Sequence, residues 1–178
     1  MLALLTPVLA AAQQRAATTV ILVRHAEKAA EPAADPPLTP EGEVRARALI
    51  AVARDAGVTT IITTQFVRTK ATAEPIANAL HITPTVVDAR AKTHAQDVAQ
   101  NILTSHAGET VLVVGHSNTL PAIIAALGAG QVAPICDSEY DGLYVVTIPG
   151  SGGGPAHVIR ARYGAPSPAG PECAAMSR

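Results

Sequence analysis

Two histidines directly follow apolar segments of the chain. Arg24-His25 comes after the run 19–23, and His116 comes after the run 111–115. An imidazole can act as a nucleophile or a base, and a guanidinium beside it can bind an anion. Both runs are typical of buried strands, and ligands bind at the carboxyl ends of the strands in open α/β sheets. The sequence therefore predicts one site that contains both histidines.

Strand and helix patterns alternate along the chain and position these residues. Thr39 has the character of an N-cap, with Pro40 at the first helical position and Gly57 after the helix end. Prolines in the segment 26–40 predict a loop before that helix. The predicted strands cover 18–24, 59–63, 83–87, 110–114, 142–148 and 156–162, and the predicted helices cover 40–55, a segment ending near 80, about 95–106, and 120–127.

This alternation predicts an α/β fold with helices on both faces of the sheet. We expect a three-layer α/β/α sandwich with a mostly parallel sheet and one antiparallel edge strand. The glycine-rich segment 149–155 suits a hairpin loop at the sheet edge. One domain over 18–164 follows, with a flexible proline- and serine-rich tail over 165–178.

Composition narrows the function classes. With 178 residues the chain can bury a sizeable core, and because aromatics are only 2% of it, that core must consist of aliphatic side chains. The formal net charge of -1 gives no electrostatic reason to expect nucleic acid or an acidic membrane as a partner. Any bound anion must be held by a local cluster of Arg and His.

The first residues, 1–12, are apolar and end in small residues, which is typical of a signal peptide. The segment is too short to span a bilayer as a helix. We expect an exported protein, periplasmic or secreted, with no membrane attachment in its mature form. The alternative is a hydrophobic first helix that is retained in a cytoplasmic protein.

The chain contains two cysteines, Cys136 and Cys173. In an exported protein they could form one disulfide that attaches the tail to the body, and otherwise they are two free thiols. Two cysteines this far apart do not predict a zinc site. The remaining histidines show no ligand spacing, and no glycine-rich nucleotide loop precedes a helix, so no metal and no cofactor are expected.

Five segments, taken together and in this order, resemble the histidine phosphatase (phosphoglycerate mutase-like) superfamily, and in particular its small single-domain phosphohistidine phosphatase-like members. The resemblance covers about residues 18–164. The segments are Leu-Val-Arg24-His25-Ala-Glu27, Leu38-Thr39-Pro-Glu-Gly42, Thr63-Thr64-Gln-Phe-Val-Arg68-Thr69-Lys-Ala-Thr72-Ala73, Val-Gly115-His116-Ser117-Asn118, and Glu139-Tyr140-Asp141-Gly-Leu-Tyr144.

The resemblance implies a role for each matching residue. His25 would be the nucleophile that forms a phosphohistidine, and Arg24, Arg68 and His116 would hold the phosphoryl oxygens. Arg68 in the first turn of a helix is unfavourable for the helix dipole unless an anion is nearby, which favours the functional role. The further residues expected at the substrate are Thr64, Glu27, Ser117 and Asn118.

The general acid is predicted less directly. Relatives that act on alkyl phosphates carry an acidic residue after the third strand, and Asp88 is the acidic residue nearest that place; it is either the acid or a loop carboxylate. Without a well-placed acid, aryl phosphates and phosphohistidine, which have good leaving groups, would be favoured.

We therefore expect a cofactor-independent phosphatase, a phosphoric monoester hydrolase, that acts on a small phosphorylated substrate or a phosphorylated protein side chain. Within the class, the alternative is a phosphohistidine protein phosphatase in signalling. Outside it, the alternative is a non-catalytic module that binds phosphate in the same cationic pocket. The sequence predicts neither the physiological substrate nor the oligomeric state.

Overall fold

Six strands form one sheet in the computed structural model, which describes residues 16–168 and residue 170. The strands are β1 (Thr18–Arg24), β2 (Thr60–Thr63), β3 (Thr85–Val86), β4 (Thr110–Gly115), β5 (Gly142–Ile148) and β6 (His157–Arg162). Their order across the sheet is β3-β2-β4-β1-β5-β6. The strand that carries Arg24 therefore lies in the interior of the sheet, directly beside the strand that leads to His116.

Strand directions confirm the mostly parallel sheet. β1 pairs in parallel with β4, β4 with β2, and β2 with β3. β5 is antiparallel to β1, and β6 is antiparallel to β5. The antiparallel strand is thus β5, one position in from the edge, and the edge strand β6 runs in the same direction as β1.

Four helices flank the sheet: α1 (Pro40–Asp55), α2 (Val67–Leu80), α3 (His94–Ser105) and α4 (Leu120–Ala126). The beginning of α1 has the predicted cap, because the Thr39 hydroxyl accepts a hydrogen bond from the backbone N–H of Gly42 at 3.2 Å. After its end, Gly57 has a φ of 67°, a left-handed conformation that glycine adopts without strain.

The alternation of side chains along β1 divides the core between the two faces of the sheet. Ile21 and Val23 pack with Leu49 of α1 and Ile76 of α2, in a cluster that also contains β4 residues. Val20 and Leu22 belong to a second cluster on the opposite face, with side chains from α3 and α4. Two clusters separated by the sheet make the predicted three-layer sandwich.

One strand is much shorter than predicted. β3 covers only Thr85–Val86, although the apolar pattern predicted 83–87, and both of its residues are exposed. It pairs on one side only, with β2. An edge strand without helix cover gains little from burial, so its β-branched composition overstates its length.

The predictions for the N-terminal segment, the tail and the cysteines fall partly outside the described residues. The signal peptide (1–12) and residues 171–178 of the tail, including Cys173, lie outside the described residues, while Cys136 is buried and is not a free thiol. Within the described tail, Ser167 Oγ accepts hydrogen bonds from the backbone N–H groups of Tyr140 (2.9 Å) and Asp141 (3.0 Å). In the described part of the chain, no helix is both long and apolar enough to cross a bilayer.

Candidate active site

The two histidines of the sequence meet at the carboxyl ends of β1 and β4. Arg24 is in register with Gly115, and the backbone N–H of His25 donates to the Gly115 carbonyl at 2.9 Å. The ring centroids of His25 and His116 are 5.3 Å apart, and the rings are tilted by 64°. The two imidazoles lie in one site because β1 and β4 are adjacent, parallel and end at paired residues.

A hydrogen bond to the backbone determines the tautomer of His25. Its Nδ1 lies 2.8 Å from the carbonyl oxygen of Ala26. Because a carbonyl can only accept, Nδ1 carries the proton, and the lone pair of the ring is on Nε2. Burial lowers the pKa of His25 to about 3, and the positive charges of Arg24 and Arg68 act in the same direction, against the bond to Ala26. At physiological pH the ring is neutral, with Nε2 available as a nucleophile.

The Arg24 side chain is held by backbone carbonyls. Its Nη1 donates to the carbonyl oxygens of Cys136 (2.9 Å), Asp137 (2.8 Å) and Glu139 (3.1 Å). The guanidinium carbon lies 4.3 Å from the centre of the Tyr140 ring, in a cation–π arrangement. Carbonyl dipoles and an aromatic face fix the group without neutralising it, so its full charge remains available to an anion.

Arg68 has a carboxylate partner that the sequence analysis missed. Asp35 accepts hydrogen bonds from the backbone N–H of Val67, at 3.0 and 3.2 Å, and lies 3.4 Å from Arg68 Nη1. The helix itself has no side-chain cap, because its N-cap residue is Phe66. Asp35 thus supplies the anion that an arginine in the first turn of a helix requires. The two residues are 33 positions apart, so no local spacing reveals the pair.

His116 is also neutral, with the opposite tautomer. Its Nδ1 lies 3.4 Å from Arg68 Nη2, and its Nε2 lies 3.0 Å from Thr64 Oγ1. A guanidinium can only donate, so Nδ1 accepts and Nε2 carries the proton that is donated to Thr64. Burial is the largest cause that lowers the pKa of His116, to about 4. The charges of Arg68, His94 and Arg24 lower it further. His116 therefore orients Arg68, and Thr64 fixes His116.

These side chains surround an open cavity of about 360 Å³. Ser117 and Asn118 line it, as predicted for residues that contact a substrate, while Thr64 is buried behind His116. Six lining residues were not singled out from the sequence: Lys28, Phe66, Ala89, Arg90, Thr119 and Asp137. A larger cavity of about 570 Å³ lies along α2, and none of the predicted site residues lines it.

Glu27 and Asp88 do not line the cavity, contrary to the roles expected for them. Both oxygens of the Glu27 carboxylate lie 2.9 Å from Nε of the buried Arg45, which makes Glu27 a structural partner. Asp88 is exposed, and its Oδ1 accepts a hydrogen bond from the backbone N–H of Arg90 at 2.9 Å. The loop after β3 thus turns Ala89 and Arg90, rather than the acid, toward the cavity.

Among the lining residues, the one carboxylate belongs to Asp137. Its Oδ1 lies 3.8 Å from Arg24 Nη2, and its side chain is 89% exposed. Within the described part of the chain, no cluster of three or more histidine, cysteine or acidic side chains is arranged to hold a metal ion.

Part of the chain matches a known protein family. Residues 20–92 match the family model of the histidine phosphatase superfamily (branch 1). No match was found among the curated proteins.

Solved structures share the fold over most of the chain. The protein histidine phosphatase SixA, in complex with tungstate, is 19% identical with a TM-score of 0.60, over 84% of this chain and 96% of that chain. SixA from Nakamurella is 22% identical with a TM-score of 0.55, over 86% and 98%. A mycobacterial glucosyl-3-phosphoglycerate phosphatase is 15% identical with a TM-score of 0.53, over 74% and 90%.

The matched segment contains Arg24, His25 and Arg68, and the fold positions His116 beside them. The chain is therefore similar to the histidine phosphatase superfamily over residues 20–92, and its fold is that of the solved phosphatases.

Proposed function

We propose that this protein is a phosphatase that hydrolyses phosphomonoesters through a phosphohistidine intermediate on His25. The observation that carries the proposal is the buried, neutral imidazole of His25, whose Nδ1–H bond to Ala26 leaves the Nε2 lone pair free. Arg24 and Arg68 line the same cavity and supply positive charge for the phosphoryl oxygens. The match of residues 20–92 to the histidine phosphatase family model supports the same class of reaction.

In the first step, His25 Nε2 attacks phosphorus, and the bond from phosphorus to the ester oxygen breaks. The leaving oxygen takes the electron pair and is protonated by solvent water, and the phosphoryl group remains on Nε2. The ring then bears a positive charge, which the Ala26 carbonyl stabilises by accepting from Nδ1–H. Arg24 and Arg68 offset the negative charge on the transferring group.

In the second step, water attacks the phosphohistidine, the P–N bond breaks, and inorganic phosphate leaves. His25 regains the neutral form with its lone pair on Nε2. Splitting hydrolysis into two displacements needs a nucleophile that is unprotonated at the start of each cycle, which the lowered pKa of His25 provides.

The absence of a buried acid from the described cavity lining favours substrates with good leaving groups. Asp137 is largely exposed, and Asp88 lies outside the cavity. A poor leaving group such as an alkoxide requires a positioned proton donor. This observation supports a second candidate function, a phosphohistidine protein phosphatase, because imidazole leaves more readily than an alkoxide.

The test is turnover of p-nitrophenyl phosphate and of a phosphohistidine peptide, combined with trapping of the phosphoenzyme. We expect wild type to release phosphate, His25→Ala to be inert, and the trapped phosphate to map to His25. His157→Ala, at an exposed position on β6, is the matched control and should retain activity. Equal inertness of wild type and His25→Ala on both substrates would instead favour a non-catalytic phosphate-binding module, and a label on Ser117 or Thr64 would refute the mechanism.

The proposed compartment is the periplasm or the extracellular medium, on the ground of the apolar segment 1–12. N-terminal sequencing of the protein recovered from its source cell tests this. Cleavage after the small residues is expected, and a retained Met1 in a cytoplasmic fraction would contradict it.

A further inference from the structure

The tail after β6 is hydrogen-bonded to the segment that holds Arg24. The Ser167 hydroxyl accepts from two consecutive backbone N–H groups, that of Tyr140 at 2.9 Å and that of Asp141 at 3.0 Å. The backbone N–H of Ser167 donates to the Asp141 carboxylate at 3.2 Å. Ser167 therefore binds this turn through both its side chain and its backbone.

One peptide group connects Ser167 to Arg24. The carbonyl of Glu139 and the N–H of Tyr140 belong to the same peptide, which is planar. The carbonyl accepts from Arg24 Nη1 at 3.1 Å, and the N–H donates to Ser167 Oγ at 2.9 Å. Hydrogen bonds at the two ends of one peptide polarise each other and fix its plane. The same peptide leads directly to the Tyr140 ring, whose centre lies 4.3 Å from the Arg24 guanidinium carbon.

The beginning of this segment has a different attachment. Cys136 is buried and disulfide-bonded, and its carbonyl and that of Asp137 accept from the same Arg24 nitrogen. Farther along, the side chain of Glu139 pairs with Arg160. That ion pair does not reach the N–H of Tyr140. Within the described residues, the orientation of the 139–140 peptide therefore depends on Ser167.

The sequence around Ser167 favours this contact. Pro166 precedes it and Pro168 follows it. Proline fixes its own φ and disfavours the helical region for the residue before it, so both neighbours restrict the backbone here. A restricted chain loses little conformational entropy when it is ordered. The tail can thus hold the turn with few contacts.

We propose that Ser167 is a positioning residue for the anion site: it orients the 139–140 peptide, which in turn orients the guanidinium of Arg24. The inference rests on the proposed function, in which Arg24 holds the phosphoryl oxygens. Ser167 is not among the residues that line the cavity, so it acts through Arg24 and not on the substrate. Without Ser167, Arg24 keeps its charge but is held less precisely, and a misplaced group stabilises the transition state less well.

Binding of inorganic phosphate, titrated calorimetrically, tests the role independently of turnover. Ser167→Ala should weaken phosphate binding by about fivefold, the effect of one hydrogen bond. For p-nitrophenyl phosphate, kcat should fall by about tenfold while KM changes by less than about threefold. Ser167→Thr keeps the hydroxyl and should recover most of both losses. Ser151→Ala, in the exposed loop between β5 and β6, is the control and should behave as wild type.

A double-mutant cycle shows whether Ser167 acts through Arg24. In the Arg24→Ala background, the further change Ser167→Ala should alter phosphate affinity and kcat/KM by less than about twofold, because the group that it positions is gone. A purely structural role would give the same loss in both backgrounds. All variants are compared without reductant, which keeps the disulfide of Cys136, and urea unfolding measures the folded fraction of each.

Wild-type phosphate affinity and kcat in Ser167→Ala would overturn the positioning role. Equal losses in the two backgrounds, or no recovery in Ser167→Thr, would also overturn it. If wild type bound no phosphate, the assignment of Arg24 to an anion would fail, and the positioning role with it. Phosphate binding that depends on Ser167 and Arg24, in a protein that hydrolyses neither p-nitrophenyl phosphate nor a phosphohistidine peptide, would instead refute the proposed catalysis and leave the positioning role in place.

Discussion

Arg24 and Arg45 are equally buried, at 4% exposure each, yet they have opposite surroundings. Arg24 is fixed by three backbone carbonyls. Its carboxylate contact is with the solvent-exposed Asp137, whose Oδ1 lies 3.8 Å from Arg24 Nη2. Arg45 is bound by the Glu27 carboxylate, at 2.6 Å to Nη2, and by the Tyr163 carbonyl at 3.1 Å. One guanidinium keeps its charge for an anion, whereas the other is neutralised within the fold. The partners of a buried arginine, more than its burial, indicate whether it serves a ligand or the structure.

The largest expected effect separates the two arginines by activity. Arg24→Ala removes a positioned charge from the developing charge on phosphorus, so kcat/KM for p-nitrophenyl phosphate should fall by roughly 10²- to 10³-fold. Arg47→Ala, at an exposed position on α1, is the control and should change kcat/KM by less than about twofold. Activity in Arg24→Ala comparable to wild type would contradict the assignment of Arg24 to the ligand.

The second prediction concerns the Glu27–Arg45 pair and its effect on stability. Glu27→Gln leaves the buried charge of Arg45 without its carboxylate, which should lower the free energy of unfolding by about 3 kcal/mol. Urea unfolding followed by circular dichroism measures it, with Glu43→Gln, which loses only the exposed pair with Arg47, as the control. If Glu27→Gln were as stable as wild type but inactive, Glu27 would belong to the site after all.

Burial of the two histidines, together with the positive charges near them, predicts a pH dependence of stability. The pKa of His25 and that of His116 are lower in the folded chain, at about 3 and about 4, than the value near 6.5 of an unfolded chain. The unfolded chain therefore binds more protons below pH 6.5. Stability should be full above that pH and should fall as the pH drops from 6.5 toward 4, by at most about 1.4 kcal/mol per pH unit for each histidine.

Unfolding free energies at pH 7.5, 6 and 5 test this dependence. His157→Gln should keep the wild-type slope, since His157 is exposed on β6. A slope of zero between pH 6 and 5 in wild type would show that the two rings are not held neutral.

Substitution of Asp35 is expected to have the smallest effect on stability, because its carboxylate neutralises the charge of Arg68 only in part. Asp35→Ala removes both the hydrogen bond that Asp35 accepts from the backbone N–H of Val67 and the favourable charge at the N-terminus of α2, so the free energy of unfolding should fall by about 1 kcal/mol. Asp35→Asn keeps an acceptor for Val67 and should lose less. Glu31→Gln, in the same loop, is the control, since the Glu31 carboxylate accepts a hydrogen bond from the exposed backbone N–H of Ala33 and forms no ion pair within the described residues. Equal losses in Asp35→Asn and Asp35→Ala would show that the charge, not the hydrogen bond, stabilises the helix.

Local signals predicted the elements well where burial and capping agree. The bounds of β1 were predicted to the residue and those of α1 were predicted closely, because a continuous apolar run and a Thr39-Pro40 start are both read from neighbouring positions. The meeting of His25 and His116 followed from strand ends alone. The length of β3 was not predictable in the same way, because its exposure depends on its edge position in the sheet.

Partners that are distant along the chain could not be predicted. The carbonyls that hold Arg24 lie 112 to 115 positions away, and the Glu27–Arg45 pair spans 18 positions. Glu27 belongs to the segment that resembles the family motif, and that resemblance placed it at the substrate. Only the packing of α1 against the loop after β1 shows that its carboxylate is already occupied.

The three backbone carbonyls that hold Arg24 have a consequence for when this part of the protein can form during synthesis. Chains emerge from the ribosome N-terminus first, and domains generally fold as units. The strand that carries Arg24 is synthesised before both of its neighbours in the sheet, β4 and β5, and the carbonyls that hold Arg24 follow it by 112 to 115 positions. A nascent chain that stops before residue 136 contains His25, His116 and Arg68, yet it lacks the carbonyls that fix Arg24. The surroundings of Arg24 are therefore complete only after residue 139 has been translated.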